Sequence, residues 1–145
     1  MTRVDFYILP DMDIDARDRF ACRLANRAVD NGHHVHVHVD DEDAQHKLDE
    51  LMWTYPAHRF LAHGVAGDPL GERAPVLISR DPPGAESDQM LINLGADVPS
   101  FFGRFERVAE IFVQPQVEAG RQRYKYYRDR GYPLFHHDME AWEDR

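Results

Sequence analysis

The sequence contains little cysteine, little lysine and no long apolar run. Cys22 is the single cysteine in 145 residues, which excludes a disulfide framework and a cysteine-rich metal site. No apolar stretch approaches the roughly 18 residues that a membrane-spanning helix needs. We therefore expect a cytoplasmic protein without a membrane contact. Lysine is limited to Lys47 and Lys125, so arginine, which suits bidentate recognition of carboxylate or phosphate, supplies nearly all the positive charge.

Acidic side chains dominate the charge of the chain. The formal net charge of -9 at pH 7 argues against broad, non-specific DNA binding, because such binding depends on summed positive charge. With 43% hydrophobic residues, the chain can bury one core of ordinary size. We predict a single α/β domain over residues 1–135 and a polar C-terminal tail over residues 136–145 that is frayed.

Apolar patterns alternate between strand and helix along the chain. The predicted strands are 4–9, 34–39, 60–63, 75–78, 90–94 and 108–113. The predicted helices are roughly 15–31 and 40–53, a short one at 99–105, and a closing helix after Pro115. This order predicts an α/β fold with a mostly parallel sheet and helices on both faces.

The loops after the strands lack nucleotide-binding motifs. Leu9, Pro10 and Asp11 stand where a dinucleotide-binding chain has its first glycines. The Gly-rich stretch 64–71 lacks the Gly-Lys-Ser/Thr ending of a phosphate-binding loop. We therefore expect no nucleotide site and no cofactor.

Three alternating histidines lie in the second predicted strand. His34, His36 and His38 share one face of the strand and Asp40 follows them. Imidazoles two residues apart on a strand can reach one Zn²⁺, and the string resembles part of the metal site of metallo-β-lactamase-like hydrolases. The pattern equally fits a strand whose helix-facing or solvent-facing positions are histidine. Both a metal-dependent hydrolase and a purely structural strand remain open.

Residues 121–130 concentrate positive charge and tyrosine. They hold five of the 17 Lys+Arg, one acid and three tyrosines. At helical spacing Arg121, Lys125 and Arg128 fall on one face with Tyr124 beside them. Such a face on an acidic body can dock an anionic partner. The alternatives are a closing helix with its tyrosines in the core, and a direct single-stranded DNA binder whose aromatics stack on bases.

Six strings occur in a specific order and spacing. They are VDFYIL at 4–9, KLDELMW at 47–53, FLAH at 60–63, PVLI at 75–78, LINL at 91–94 and RQRYKYYR at 121–128. Together they resemble the chi subunit of bacterial DNA polymerase III over about residues 3–134. The resemblance implies a Rossmann-like three-layer fold without a bound nucleotide. It also implies a subunit that is not itself catalytic, within a DNA-directed DNA polymerase holoenzyme.

The resemblance further implies two protein partners and mainly indirect contact with nucleic acid. One partner is the small psi subunit, which connects proteins of this family to the clamp loader. Trp53 and Phe60 match the family's psi-binding aromatics, although large aromatics at the end of a helix also serve as core. The other partner is the acidic C-terminal tail of single-stranded DNA-binding protein.

The tail-binding residues that the resemblance assigns are Arg121, Tyr124, Arg128 and Val113, and we predict Lys125 as a further residue of this site. Arginine suits the free carboxylate of such a tail, an apolar slot suits its last side chain, and a basic rim suits its acids. The family can have a lysine before the closing helix, whereas residues 114–120 have none. Lys125 or Arg123 is the candidate replacement.

Overall fold

One sheet of seven parallel strands organises the part of the chain that the structure describes. This computed structural model describes residues 1–56, 61–68, 74–84 and 88–143. The strands are β1 (Arg3–Ile8), β2 (Val35–His38), β3 (His63–Val65), β4 (Val76–Ser79), β5 (Met90–Asn93), β6 (Arg107–Phe112) and β7 (Leu134–Asp138). The helices are α1 (Asp15–Asp30), α2 (Glu42–Thr54) and α3 (Val117–Asp129), with short 3₁₀ turns at Phe102–Arg104 and Gln114–Gln116.

The strand order is β3-β4-β2-β5-β6-β1-β7, and every pair is parallel. The predicted α/β architecture is confirmed. Two apolar layers enclose the sheet. Phe20 of α1 and Leu48 of α2 pack in one layer, and Tyr127 of α3 packs in the other. We call these the α1/α2 layer and the α3 layer.

Strand alternation decides which layer each side chain enters. Val35 and Val37 enter the α1/α2 layer, and His36 between them points to the opposite face. In β6, Ile111 joins the α1/α2 layer and Phe112 joins the α3 layer. Adjacent residues of one strand therefore pack in the layers of different helices.

Local signals place the helix ends close to their predicted positions. The side chain of Asp41 accepts a hydrogen bond from the Ala44 amide at 2.8 Å, which satisfies an otherwise unpaired N–H of the first turn of α2. Gly32 follows α1 with a φ of 83°, a left-handed conformation that glycine adopts without a Cβ clash.

Two local predictions were wrong. The third strand begins at His63 and not at residues 61–62, and residue 60 of the predicted strand 60–63 lies outside the described residues. Residues 136–143 are not a frayed tail, because residues 136–138 complete β7 beside β1, and residues 144–145 lie outside the described residues. Beyond β7, Trp142 Nε1 donates to Asp11 Oδ1 at 2.8 Å and the Trp142 ring packs edge-on against Phe20. A polar composition concealed these contacts.

No helix in the described ranges is both long and apolar enough to cross a membrane.

Candidate functional site

A groove of about 450 Å³ opens between α3 and the β1–β7 edge of the sheet. We call it the α3–β7 groove. Its lining residues are Phe6, Ile8, Gln114, Val117, Gly120, Arg121, Tyr124, His136 and Asp138. The floor is apolar and comes from β1, while α3 and β7 supply polar walls. This combination suits a ligand that has both an apolar part and charge.

Arg121 and Tyr124 form the helical wall of the groove. The side chain of Arg121 is 74% exposed, and its Nη1 lies 3.4 Å from Glu118 Oε2 in an exposed pair. Such a pair holds the guanidinium only weakly, because both charges are well solvated. The Tyr124 ring packs on Phe6 with ring centroids 5.2 Å apart. The arrangement presents an exposed cation beside an aromatic ring that packs on the groove floor.

Helical spacing and one glycine shape this wall. Positions 117, 120, 121 and 124 recur at the i, i+3, i+4 and i+7 spacing that lines one helix face. A Cβ added at Gly120 would lie 3.1 Å from the Phe112 ring. Gly120 therefore lets α3 approach β6 closely beneath the groove.

Lys125 and Arg128 lie on the outer surface of α3, outside the groove lining. Both side chains are exposed, and Arg128 Nη2 lies 3.3 Å from Asp129 Oδ1. They can supply long-range attraction to an acidic ligand that extends past the groove. They do not meet Arg121 and Tyr124 at a common lining surface among the described residues.

Val113 is fully buried in the α1/α2 layer, on the far side of the sheet from α3. It cannot line the groove, so its assignment from the resemblance does not fit this geometry. Alternation along β6 explains the difference, because Val113 shares its face with Ile111. Val117, one helical turn before Arg121, is the apolar α3 residue that the structure places in the groove.

Arg123 is not available as a replacement basic residue. Its Nη1 donates to Glu110 Oε1 at 2.6 Å, and its Nη2 donates to the Gly95 carbonyl at 2.7 Å and to the Ala96 carbonyl. Glu110 is completely buried. The Arg123 side chain is only 11% exposed, so it compensates a buried carboxylate instead of meeting a partner.

Two more donors complete this buried network. Asn93 Nδ2 and the Tyr127 hydroxyl donate to Glu110 Oε2 at 2.9 and 2.7 Å. Burial raises the pKa of the Glu110 carboxyl, and the Arg123 charge and both hydrogen bonds oppose that rise. Burial and the nearby Glu110 charge raise the pKa of Tyr127, which keeps its hydroxyl protonated as a donor. The network fixes α3 against the sheet.

A second exposed feature lies at the end of α2. Trp53 is 61% exposed, and its ring meets the His63 ring edge-on with centroids 4.8 Å apart. His63 is held by the Leu61 carbonyl, 2.7 Å from its Nδ1, and by Asp49, 3.0 Å from its Nε2. Exposed tryptophan on a fixed support is typical of an interface anchor. The other predicted anchor, Phe60, lies outside the described residues.

The histidine strand is built into the α3 side of the sheet. The His36 ring is buried, with centroids 5.9 and 5.8 Å from those of Phe101 and Phe105. Burial lowers the pKa of His38 despite the nearby Asp40 carboxylate, which disfavours the charged imidazole. His34 is exposed. Within residues 1–56, 61–68, 74–84 and 88–143, no three His, Cys, Asp or Glu side chains converge as metal ligands. The geometry favours the structural interpretation.

Comparison with known proteins identifies the family. The family model described as "DNA polymerase III chi subunit, HolC" matches residues 1–135. The chain is 41% identical over 142 residues to DNA polymerase III subunit chi of Pseudomonas aeruginosa. This alignment covers 96% of this chain and 98% of that protein. The chain is 30% identical over 141 residues to the Escherichia coli subunit chi, with 92% and 96% covered. The chain belongs to the DNA polymerase III chi subunit family.

Membership in the chi family makes the chain part of the DNA polymerase III holoenzyme, in DNA replication. A solved structure that shares its fold is the crystal structure of T4 UvsW, with a TM-score of 0.63 and 10% identity. That match covers 95% of this chain but only 41% of the T4 protein. At this identity the likeness concerns the fold alone.

Sequence reasoning found Arg121 and Tyr124 of this chi-family groove and missed the rest of its lining, including Val117, His136 and Asp138. Val117 was passed over for Val113, and His136 and Asp138 were placed in a frayed tail. The signal for Val117 was present, because it stands four residues before Arg121 on the same helix face. No comparable signal marked β7, whose sequence LFHHD alternates poorly.

Proposed function

We propose that this chi-family chain is a non-catalytic adaptor with two docking surfaces. The α3–β7 groove binds the acidic C-terminal tail of single-stranded DNA-binding protein. The surface around Trp53 binds the psi subunit, which connects the chain to the clamp loader. Contact with single-stranded DNA is then mainly indirect, through the protein that coats it.

The observation that carries this proposal is Arg121, an exposed arginine beside an apolar groove on a protein of net charge -9. A free C-terminal carboxylate can accept charge-assisted hydrogen bonds from a guanidinium. The last apolar side chain of the tail can rest between Val117, Ile8 and the Tyr124 ring. The acids that precede it extend toward Lys125 and Arg128.

The test is a fluorescence anisotropy titration with a labelled peptide carrying the tail, at low and at moderate salt. We expect micromolar binding that weakens as salt rises, because screening removes the contribution of the exposed charges. Arg121→Ala should weaken binding by roughly 1.5–3 kcal/mol, the range for a hydrogen bond to a charged group. Arg80→Ala, an exposed arginine at the far side of the sheet, is the matched control and should bind normally.

The second surface needs a reciprocal experiment. Trp53→Ala should weaken pairing with a psi subunit and leave tail binding unchanged, whereas Arg121→Ala should do the reverse. Circular dichroism must show that both variants are folded. Loss of both partners in both folded variants would contradict two separate surfaces. Oligonucleotide binding without any tail peptide would instead favour the direct DNA binder, and it should then depend on Tyr124.

A further inference from the structure

Two side chains of β7 form the wall of the α3–β7 groove that faces α3. His136 and Asp138 lie on the same face of the strand, two residues apart, and both are exposed. Asp138 Oδ1 is 3.0 Å from His136 Nε2. Because β7 pairs in parallel with β1, these residues stand beside Phe6 and Ile8 of the groove floor. The strand wall thus carries a carboxylate next to an imidazole.

The two walls therefore differ in charge. The helical wall carries Arg121, and the strand wall carries Asp138. An acidic peptide is attracted to one wall and repelled by the other, because like charges at close range disfavour each other. Its terminal carboxylate is best placed at Arg121, with its remaining acids directed away from β7.

We propose that His136 and Asp138 determine the specificity of the groove for an acidic tail and the direction in which that tail lies. Asp138 excludes acidic residues from the β7 side and directs them along the outer surface of α3. Protonation of His136 offsets the Asp138 charge and tightens binding. This inference rests on the proposed function, since it takes the groove to hold an acidic C-terminal tail.

The groups that face His136 come from α3, from β1 and from the 3₁₀ turn before α3. Imidazole is the side chain whose ordinary titration falls between pH 5 and 8. From α3 the facing groups are Arg121, with Glu118 beside it, and the phenol of Tyr124. The floor residues from β1 and Gln114 from the 3₁₀ turn do not titrate. Among the described residues lining the groove, His136 is the sole imidazole.

The experiment measures affinity for a labelled synthetic peptide at pH 6 and pH 8, at one ionic strength. The peptide carries several aspartates, an apolar last residue and a free carboxylate. The wild-type protein should bind about two- to fivefold tighter at pH 6, the range for one exposed charge pair. His136→Gln should lose this pH dependence. Asp138→Asn should bind tighter than wild type at pH 8, by a similar factor.

A spin label at the amino end of the peptide tests the direction of binding. It should broaden NMR signals from the turn of α3 around Arg128 more than those of β7. Broadening centred on β7 would overturn the proposed direction. If the wild type binds through Arg121 but neither β7 substitution alters affinity or pH dependence, the inference is wrong and the adaptor function stands. If folded wild-type protein binds the peptide at neither pH, the adaptor function itself fails.

Discussion

Arg121 and Arg123 are two residues apart on α3 but differ in their exposure to solvent and in their partners. Arg123 is 11% exposed and donates to the buried Glu110 carboxylate, whereas Arg121 is 74% exposed beside a groove. An α-helix turns about 100° per residue, so two steps carry a side chain to another face. The comparison teaches that a basic helix on an acidic protein is not one uniform binding surface. One face of α3 holds the fold together, and another is available to a partner.

The largest expected effect is the difference in stability between the Arg123→Ala and Arg121→Ala variants. Arg123→Ala should lower the free energy of unfolding by about 3–5 kcal/mol, because it leaves a buried carboxylate without its cation. Arg121→Ala should change it by less than about 0.5 kcal/mol, as for an ordinary surface substitution. Urea denaturation followed by circular dichroism measures both. Equal losses in the two variants would remove the distinction between the two faces.

The same variant should acquire a characteristic pH dependence. Burial already raises the pKa of Glu110, and removal of the Arg123 charge should raise it further. A carboxyl whose pKa is raised in the folded state binds more protons when the protein is folded. Its contribution to the free energy of unfolding is therefore fully present below its ordinary pKa of 4.5. That contribution is lost as the pH rises through the pKa of the folded state. Arg123→Ala should therefore lose more stability at pH 8 than at pH 5. Adding Glu110→Gln should remove that difference.

A smaller effect should come from the Tyr127 hydroxyl. Tyr127→Phe keeps the ring in the α3 layer but removes the donor 2.7 Å from Glu110 Oε2. The cost should be about 1.5–3 kcal/mol, the range for a hydrogen bond to a charged group. Tail-peptide affinity measured on the folded variant should stay unchanged, because this hydroxyl faces the sheet. Tyr124→Phe serves as the matched control and should be nearly neutral in stability.

The smallest effects belong to the outer surface of α3. Lys125→Ala and Arg128→Ala should each weaken tail binding by about 0.2–1 kcal/mol at low salt, since their charges are exposed. The loss should shrink at high salt as screening increases. Titrations at two ionic strengths measure this. A salt-independent loss as large as that of Arg121→Ala would mean that the peptide contacts these residues directly.

The sequence predicted the order of elements well because their apolar periodicity is strong. Phe20 in α1 and the valines of β2 repeat at helix and strand spacing, and the structure places them in one layer. The basic helix was located correctly, but its two arginines were not distinguished. The available signal was Glu110, an acid inside the apolar string VAEIFV, which predicts a buried charge that needs a partner.

The groove could be predicted only in part, because its strand wall follows from long-range pairing. Residues of β7 form a parallel ladder with β1, which lies more than 120 positions earlier in the chain. The local periodicity of the sequence does not predict this contact. The position of Val113 outside the groove has a local cause instead. Counting alternation from the buried Glu110 would have put Val113 on the other face.

Gly120 lies between the groove and the α3 layer. Its missing side chain lets the Phe112 ring approach α3, and Gly120 itself is among the residues that line the groove. A Cβ there would lie 3.1 Å from the Phe112 ring, so a larger residue requires the ring or α3 to shift, and a shift of α3 changes the groove that it lines. Groove depth and helix packing are therefore not separate variables in this protein, and a redesign that widens or narrows the groove has to move the helix as well.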